Sequence, residues 1–471
     1  MSISFWQSPA PAVRKLFKMA VGCFSFFLLL SSCAERAQQK TDRPNFLVIF
    51  TDDQTYRAIG YNNKLVKTPN LDALAGQGII FDKAFTASPI CVASRASILT
   101  GLYPQKNGTV ALNTHSFIQR EVKERQYKTL AHFLADAGYA TYFSGKSHLG
   151  DPRDYGFLFG EESTDFTDTP SFRKVADFIK EPGFGEKPYL IWLAAKQPHL
   201  PLKPQQQWID LYEGVDFPLA PNFRESPLRE SFFNQGLPGE NLYLNSDYTD
   251  NYKNLSAGPP RSPETIKEFV KAYYATISHL DAQVGALIRQ LRLTGKLENT
   301  IVIFLSDNGY FLGNHGLGNK ITMHEESVRV PFFIYGDRLK NKGTRFEQVV
   351  SSLDVLPTVL DLAGIPLPDY LHGKSLKNVL LSDDSSQIHD YVVSECTGVG
   401  GQLGQGHRMV RNRNWKYILS DTNQEALYNL EEDPYELNNL IGVKEYGSLI
   451  ARLKKDLADW KSLAGDKKEY H

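Results

Sequence analysis

"NFLVIFTDDQ", residues 45 to 54, decides the fold. "NFLVIF" is an apolar run of strand length, and it stops at a polar cluster led by two consecutive aspartates, Asp52 and Asp53. The same grammar recurs along the chain. "YATYF" (139–143) reads as a strand and runs into "SGKSHLG"; "YLIWLAA" (189–195) reads as a strand and runs into "KQPHLP"; "TIVIFLSDNG" (300–309) ends on Asp307 and Asn308. Between these strands lie helical patterns. In 128–137, Leu130, Phe133, Leu134 and Ala137 fall at i, i+3, i+4 and i+7, and Gly138 stops the helix. Over about 263–293, Tyr273, Ile277, Leu280, Val284, Leu287 and Leu291 trace one stripe. "VPFFIY" (330–335) is a further strand, followed by an apolar helix near 353–363. Strands alternating with helices predict an α/β fold with a large, mostly parallel sheet flanked by helices. In such sheets the carboxyl ends of the strands line the ligand crevice. Asp52/Asp53, Lys146/His148, His199 and Asp307/Asn308 each follow a strand end, so they can converge without being close in sequence. For any single Asp or Asn, turn chemistry is the stronger reading; the four clusters together are harder to dismiss.

The 471 residues are enough for a substantial core, and the formal charge of −1 has no long block of either sign. A sequence-independent nucleic-acid binder would need a basic surplus that this chain lacks. Arg14, Lys15 and Lys18 precede the apolar run "MAVGCFSFFLLL" (19–30), a run too short for a comfortable stop-transfer helix, and "LSSC" (30–33) follows. This resembles a bacterial lipoprotein signal. It predicts removal of the residues before Cys33, a lipid anchor on Cys33, a polar tether over 34–44, and residence at the outer membrane, on its periplasmic or cell-surface side. The alternative is a plain secretory signal or an N-terminal anchor. Of the four cysteines, Cys91 and Cys396 then remain in an oxidising compartment, where a disulfide between them is one reading. Residues 45–370 read as the main domain, with a long loop at 214–262 that has no clear period and reads as a flap. From 371 to 471, "HRMVRNRNWKYILS" and "EALYNLEEDPYELNNL" read as short antiparallel strands, with a helix at about 445–463, giving a smaller α+β subdomain.

Around Cys91, "CVASRASILTG" (91–101) resembles the signature of the type I sulfatases, formylglycine-dependent enzymes of alkaline-phosphatase-like fold. "TDDQ" resembles the first metal motif of that family, "GKSHLG" its lysine–histidine motif and "QPH" its second histidine. "SDNG", "HGLGNK" and "EESVRVP" together resemble its second metal motif with its lysine. The motifs stand in the family's order over nearly the whole chain. Two positions depart from the pattern: Ala93 stands where the family usually has proline, which bears on the maturation enzyme that accepts the chain, and Ser147 stands where tryptophan is common.

The resemblance implies that Cys91 is a precursor, oxidised to formylglycine (3-oxoalanine) by a formylglycine-generating or sulfatase-maturing enzyme. A hydrated aldehyde offers one oxygen to attack sulfur and a second whose deprotonation releases sulfate, so that water need not attack sulfur. It further implies that Asp52, Asp53, Asp307, Asn308 and residue 91 hold a metal; an all-oxygen set of six or seven ligands favours Ca2+. Arg95 would hold the nucleophile, Lys146 and Lys320 would grip sulfate oxygens, His148 would act as base, and His199 with Lys320 would protonate the leaving alkoxide. A helix opening at residue 91 would favour negative charge there.

An exported, tethered sulfatase suits sulfated polysaccharides or oligosaccharides, and the texture resembles enzymes of polysaccharide-degrading Bacteroidetes-type bacteria, many of them marine. An algal polysaccharide such as ulvan is the expected class. His115 and Arg153, and with them His407 and Arg408, are candidates to meet the sugar. Two rivals are carried: a formylglycine-dependent phosphodiester or phosphonate hydrolase, which commonly has Asp-His where this chain has Asp307-Asn308, and a non-catalytic glycan-binding lipoprotein.

Overall fold

The computed structural model describes residues 43–111, 127–225, 262–383, 386–397 and 406–467. The signal-like segment, Cys33, His115 and most of the 214–262 loop lie outside them. The strands of the large sheet are β1 (Asn45–Thr51), β2 (Ile79–Phe85), β3 (Ala140–Gly145), β4 (Phe159–Glu162), β5 (Tyr189–Ala194), β6 (Thr300–Ser306), β7 (Phe332–Tyr335) and β8 (Thr344–Ser351). They lie side by side in the order β4-β3-β5-β1-β6-β7-β2-β8. β1 pairs in parallel with β5 and β6, and β3 with β4 and β5. β7 alone is reversed, lying antiparallel between β6 and β2, while β2 and β8 pair in parallel. β2 therefore points the same way as β1. The carboxyl ends of β1, β2, β3, β5 and β6 all open on one edge of the sheet.

The helices that cover the sheet are α1 (Pro69–Gly76), α2 (Cys91–Thr100), α3 (Leu130–Asp136), α4 (Thr169–Lys180), α5 (Pro263–Leu293) and α6 (Val355–Leu362). Side chains of β1 alternate between the two faces, as the period of a strand requires. Phe46, Val48 and Phe50 pack with Ala96 and Leu99 of α2, Leu130 and Leu134 of α3, and Val355 and Val359 of α6. Leu47 and Ile49 pack with Leu71 of α1, Val175 and Ile179 of α4, and Leu280, Val284, Leu287 and Leu291 of α5. The result is a three-layer sandwich with a core on each side of the sheet. α5 begins where the sequence places it: Pro263 sits in the first turn, and Ser262 Oγ accepts the N–H of Thr265 at 3.2 Å as cap. Each large apolar side chain of its stripe contributes about 1.5–3 kcal/mol by leaving water.

A second sheet, β9 (Val392–Cys396), β10 (His407–Arg411), β11 (Trp415–Ser420) and β12 (Glu425–Asn429), is antiparallel throughout, in the order β12-β11-β10-β9. Helix α7 (Gly447–Ala464) lays Leu453, Leu457 and Trp460 against Val393, Val410, Tyr417 and Leu427 of that sheet. Two sugar-contact candidates are corrected here. Arg408 is fully buried, with Nε on Asp466 at 3.0 Å and Nη1 on the Cys396 carbonyl at 2.8 Å, and His407 is buried beside it. Both belong to the packing of the smaller sheet. Cys91 and Cys396 are both buried and not bridged to each other, so the disulfide reading is also set aside.

Candidate active site

Strand register assembles the site. Thr51 of β1 lies opposite Ser306 of β6, so Asp52 and Asp53 leave one strand beside Asp307 and Asn308 leaving the next. Phe50 lies opposite Ala194 of β5, and Ala194 opposite Gly145 of β3, which brings in the loops carrying His199 and Lys146. Backbone bonds lock the exits: Asp307 N donates to Thr51 O at 3.0 Å, Asp52 N to Gln197 O at 3.3 Å and Lys146 N to Ala194 O at 2.7 Å. Asp53 takes the left-handed conformation (φ 67°), which aspartate tolerates better than most residues. The Tyr273 hydroxyl on α5 donates to Asp53 O and accepts the N–H of Thr55 at 3.2 Å, holding that kink from below.

Asp52, Asp53 and Asp307 each bring a carboxylate oxygen within 4.8 Å of the others, and all three are buried. Asn308 Nδ2 donates to Asp53 Oδ1 at 2.7 Å, while Asn308 Oδ1 and Asp52 Oδ1 are buried without a hydrogen-bond partner. Burial and the Asp52 charge push the Asp307 carboxyl well above its ordinary range, against the pull of Arg95. Crowded carboxylates with two orphaned oxygens fit a hard divalent cation, which would satisfy the orphans and relieve the repulsion.

Three cations balance these acids. Arg95 Nε donates to Asp307 Oδ2 at 2.9 Å, Nη2 lies 3.1 Å from Asp52 Oδ2, and Nη1 donates to Lys146 O at 2.5 Å. Lys146 Nζ bonds Asp52 Oδ2, and Lys320 Nζ bonds Asp53 Oδ1. Asp52 is fully buried, which opposes its ionisation, but Lys146, His199, Arg95 and Lys320 together hold its pKa well below the ordinary value.

Cys91 is the first residue of α2, which follows β2 across a short bend, so it stands at the end of the helix that favours negative charge. Lys320 Nζ lies 3.3 Å from its sulfur. Burial pushes the thiol up, yet Lys320, Lys146 and a hydrogen bond from His148 bring it well below its ordinary value. Position 91 is thus a place built for negative charge. His199 Nδ1 donates to Leu200 O at 2.6 Å, which leaves Nε2 facing Asp53 Oδ2 at 3.7 Å and in hydrogen-bond contact with Cys91. Burial and Lys146 work against protonation of His199, but Asp52, Asp53 and Cys91 outweigh them and raise its pKa. His148, also left-handed (φ 60°), has its backbone N–H on Glu162 Oε1 at 3.3 Å.

The structure therefore gathers Asp52, Asp53, Cys91, Arg95, Lys146, His148, His199, Asp307, Asn308 and Lys320 at one edge of the sheet. Arg153 is exposed and forms a surface pair with Asp151 at 2.6 Å. Three contributors escape a sequence reading: Tyr273, Glu162 and Asp168. Tyr273 looks like one more member of the α5 stripe. Asp168, before "TP", looks like a helix cap, yet its side chain caps nothing in α4 and instead reaches Lys196 and Gln197.

The family model described as "Sulfatase" matches residues 44–365, and that described as "N-sulphoglucosamine sulphohydrolase, C-terminal" matches residues 313–462. An arylsulfatase of Clostridium perfringens is 30% identical over 91% of this chain and 96% of its own length. An ulvan-active sulfatase of Formosa agariphila is 28% identical over 92% of this chain and 86% of its own. A protein solved in complex with its substrate D-glucosamine-2-N,6-O-disulfate shares the fold with a TM-score of 0.75 at 24% identity, over 90% of this chain and 99% of that one. A family pattern over most of the chain, and a relative at that identity along nearly all of it, settle its membership: the chain belongs to the sulfatase family, enzymes that hydrolyse sulfuric esters.

Proposed function

We propose that the chain hydrolyses sulfate esters of a sulfated carbohydrate, an algal polysaccharide such as ulvan or oligosaccharides cut from it, with Cys91 matured to formylglycine and Ca2+ held by Asp52, Asp53, Asp307 and Asn308. The observation that carries this reading is the buried cluster itself, in which three carboxylates face three fixed cations around residue 91. The matured residue would supply an oxygen nucleophile with a second hydroxyl for sulfate release, and the cation would supply Lewis-acid stabilisation of developing negative charge.

The chain's own residues then divide the work. Arg95 fixes Asp52 and Asp307, so the oxygen cage keeps its shape as charge moves. Lys146 and Lys320, both acting on the charge at residue 91, attract the sulfate oxygens and lower the repulsion between an anionic ester and an anionic nucleophile. His199, its pKa raised and its ring oriented by Leu200 O, holds a proton for the departing alkoxide. His148, hydrogen-bonded to position 91, takes the proton whose loss frees sulfate.

The phosphohydrolase rival is disfavoured because Asn308, not histidine, stands beside Asp307. Intact acids and lysines argue against a binding-only protein. Glycan chemistry finds support in the relatives' names, an ulvan-active sulfatase among them. Export and lipid attachment at Cys33 are part of the same proposal; labelled palmitate should enter the wild type and not Cys33→Ala. The direct test is inorganic sulfate release from ulvan, carrageenan, fucoidan and glycosaminoglycans and their lyase-cut oligosaccharides, using protein co-produced with a maturation enzyme and with the Cys91 peptide checked by mass. Release from ulvan fragments is the expected result. Release only from glycosaminoglycans would overturn the substrate, and phosphodiester cleavage without sulfate release would overturn the reaction.

A further inference from the structure

We propose that Asp168 is a positioning residue for proton transfer by His199, acting through the loop that joins β5 to that histidine. Asp168 is fully buried and left-handed (φ 56°) at the start of α4. Its two carboxylate oxygens divide between two backbone donors: Oδ1 accepts Lys196 N at 2.9 Å and Oδ2 accepts Gln197 N at 2.8 Å. The peptide between Lys196 and Gln197 is bonded at both ends, because its carbonyl accepts the N–H of His199 at 2.7 Å. One unbroken line runs from the carboxylate through that peptide to the backbone of the histidine. A second runs from Gln197 O to Asp52 N at 3.3 Å, which ties the same loop to the acid cluster.

A cheaper residue would suffice for a turn. Burying a carboxylate is costly unless its charge is used, and the hydrogen bonds of Asp168 go to backbone N–H groups rather than to a lysine or arginine side chain. Burial pushes Asp168 up to about 7 against the pull of the two N–H groups, and above that pH the anion bonds them more strongly and more rigidly than a neutral cap. What that rigidity fixes is the angle at which the His199 ring leaves the loop. A ring held by Leu200 O at Nδ1 presents Nε2 in one direction only if its backbone cannot rock. Misplacement by a fraction of an ångström weakens proton delivery to a leaving group, whereas the fixed cations Arg95, Lys146 and Lys320 are held by Asp52, Asp53 and Asp307 rather than by Asp168.

This inference rests on the reading of His199 as the proton donor, and the experiment separates the two. The probes are substituted phenyl sulfates, from 4-nitrophenyl, whose phenolate departs without help, to 4-methoxyphenyl, whose departure needs a proton. Wild type, His199→Ala and Asp168→Asn are compared, all with mature residue 91. Asparagine tolerates the left-handed backbone and keeps the size of the side chain, but retains a single acceptor for two N–H groups. Loss of proton delivery in Asp168→Asn should cost about tenfold or more in kcat/KM for 4-methoxyphenyl sulfate and at most about twofold for 4-nitrophenyl sulfate. The ratio of the two rates on one preparation is independent of the folded fraction. If Asp168→Asn does not fold, Asp168→Glu, which keeps the charge and shifts it, carries the same comparison. A steep leaving-group dependence in both His199→Ala and Asp168→Asn supports the proposal. A steep dependence in His199→Ala with a wild-type slope in Asp168→Asn overturns the role of Asp168 alone. A wild-type slope in His199→Ala overturns the donor assignment, and the positioning role with it.

Discussion

Replacing Arg95 by alanine tests whether charge balance holds the site together. The guanidinium spans Asp307 at 2.9 Å, Asp52 at 3.1 Å and the Lys146 carbonyl at 2.5 Å, and its side chain is only 3% exposed. Its removal leaves the buried Asp307 without its cation and Asp52 with Lys146 as its remaining one, and losing one partner of a buried pair costs about 3–5 kcal/mol. Losing Arg95 also takes one positive charge from the three that face Asp52, Asp53 and Asp307. A bound divalent cation should therefore recover part of the loss, since charges at such separations interact by several kcal/mol even at an effective dielectric of about 20. The assay is urea unfolding followed by tryptophan fluorescence, Trp192 of β5 being buried 5.7 Å from Phe50, with free energies from linear extrapolation. Wild type and Arg95→Ala are compared in EDTA and again in saturating Ca2+. In EDTA the variant should lose about 3–5 kcal/mol, and in Ca2+ at least about 1 kcal/mol less than that. A loss below about 1 kcal/mol in EDTA would refute the buried-network argument. An equal loss in both conditions would show that Arg95 and the cation do not share the same acids.

Three further outcomes follow from single contacts. Cys91→Ser, produced in a host that modifies only cysteine, should stay folded and lose sulfatase turnover; near-wild-type rates would sink the formylglycine assignment. Gly145 precedes Lys146 at φ 113°, and a Cβ there would sit 2.0 Å from Ala194 O, so Gly145→Ala should part β3 from β5, lower stability by about 2 kcal/mol or more and cut kcat by displacing Lys146; unchanged unfolding midpoints would contradict this. Glu395 on β9 is buried with Oε2 3.6 Å from Arg408 Nη2, and burial pushes it up to about 7 against the pull of Arg408 and the N–H of Gln105. The folded state then holds a proton that the unfolded state releases near pH 4.5, so stability should fall as pH rises from about 4.5 to about 7 by up to about 3 kcal/mol. Glu395→Gln should flatten that decline, as read by unfolding at pH 5 and pH 8; a variant that keeps the wild-type slope would assign it to other groups.

The sequence and the fold meet unevenly, and the reason is physical. A strand that enters the core is apolar and its exit is polar, so β1, β3, β5 and β6 announce themselves together with the residues at their ends. β2 does not, because Asp82 and Lys83 interrupt its apolar run, although it delivers Cys91 to the shared edge. Nor does the reversal of β7, since strand direction leaves no mark on composition. Adjacency is equally silent: that Thr51 meets Ser306 depends on which strands pair, a choice made by packing α5 and α2 on opposite faces. The hidden contributors share this trait. Asp168 and Tyr273 act on backbone from another element, and a side chain that bonds a distant peptide looks in sequence like a cap or a core residue. Motif positions touch the reacting group, whereas the residues that aim them sit one bond behind, where local pattern carries no information. A search for determinants of rate in this chain should therefore follow the backbone bonds outward from the catalytic loops, beginning at Asp168 and Tyr273, rather than extend the motifs along the sequence.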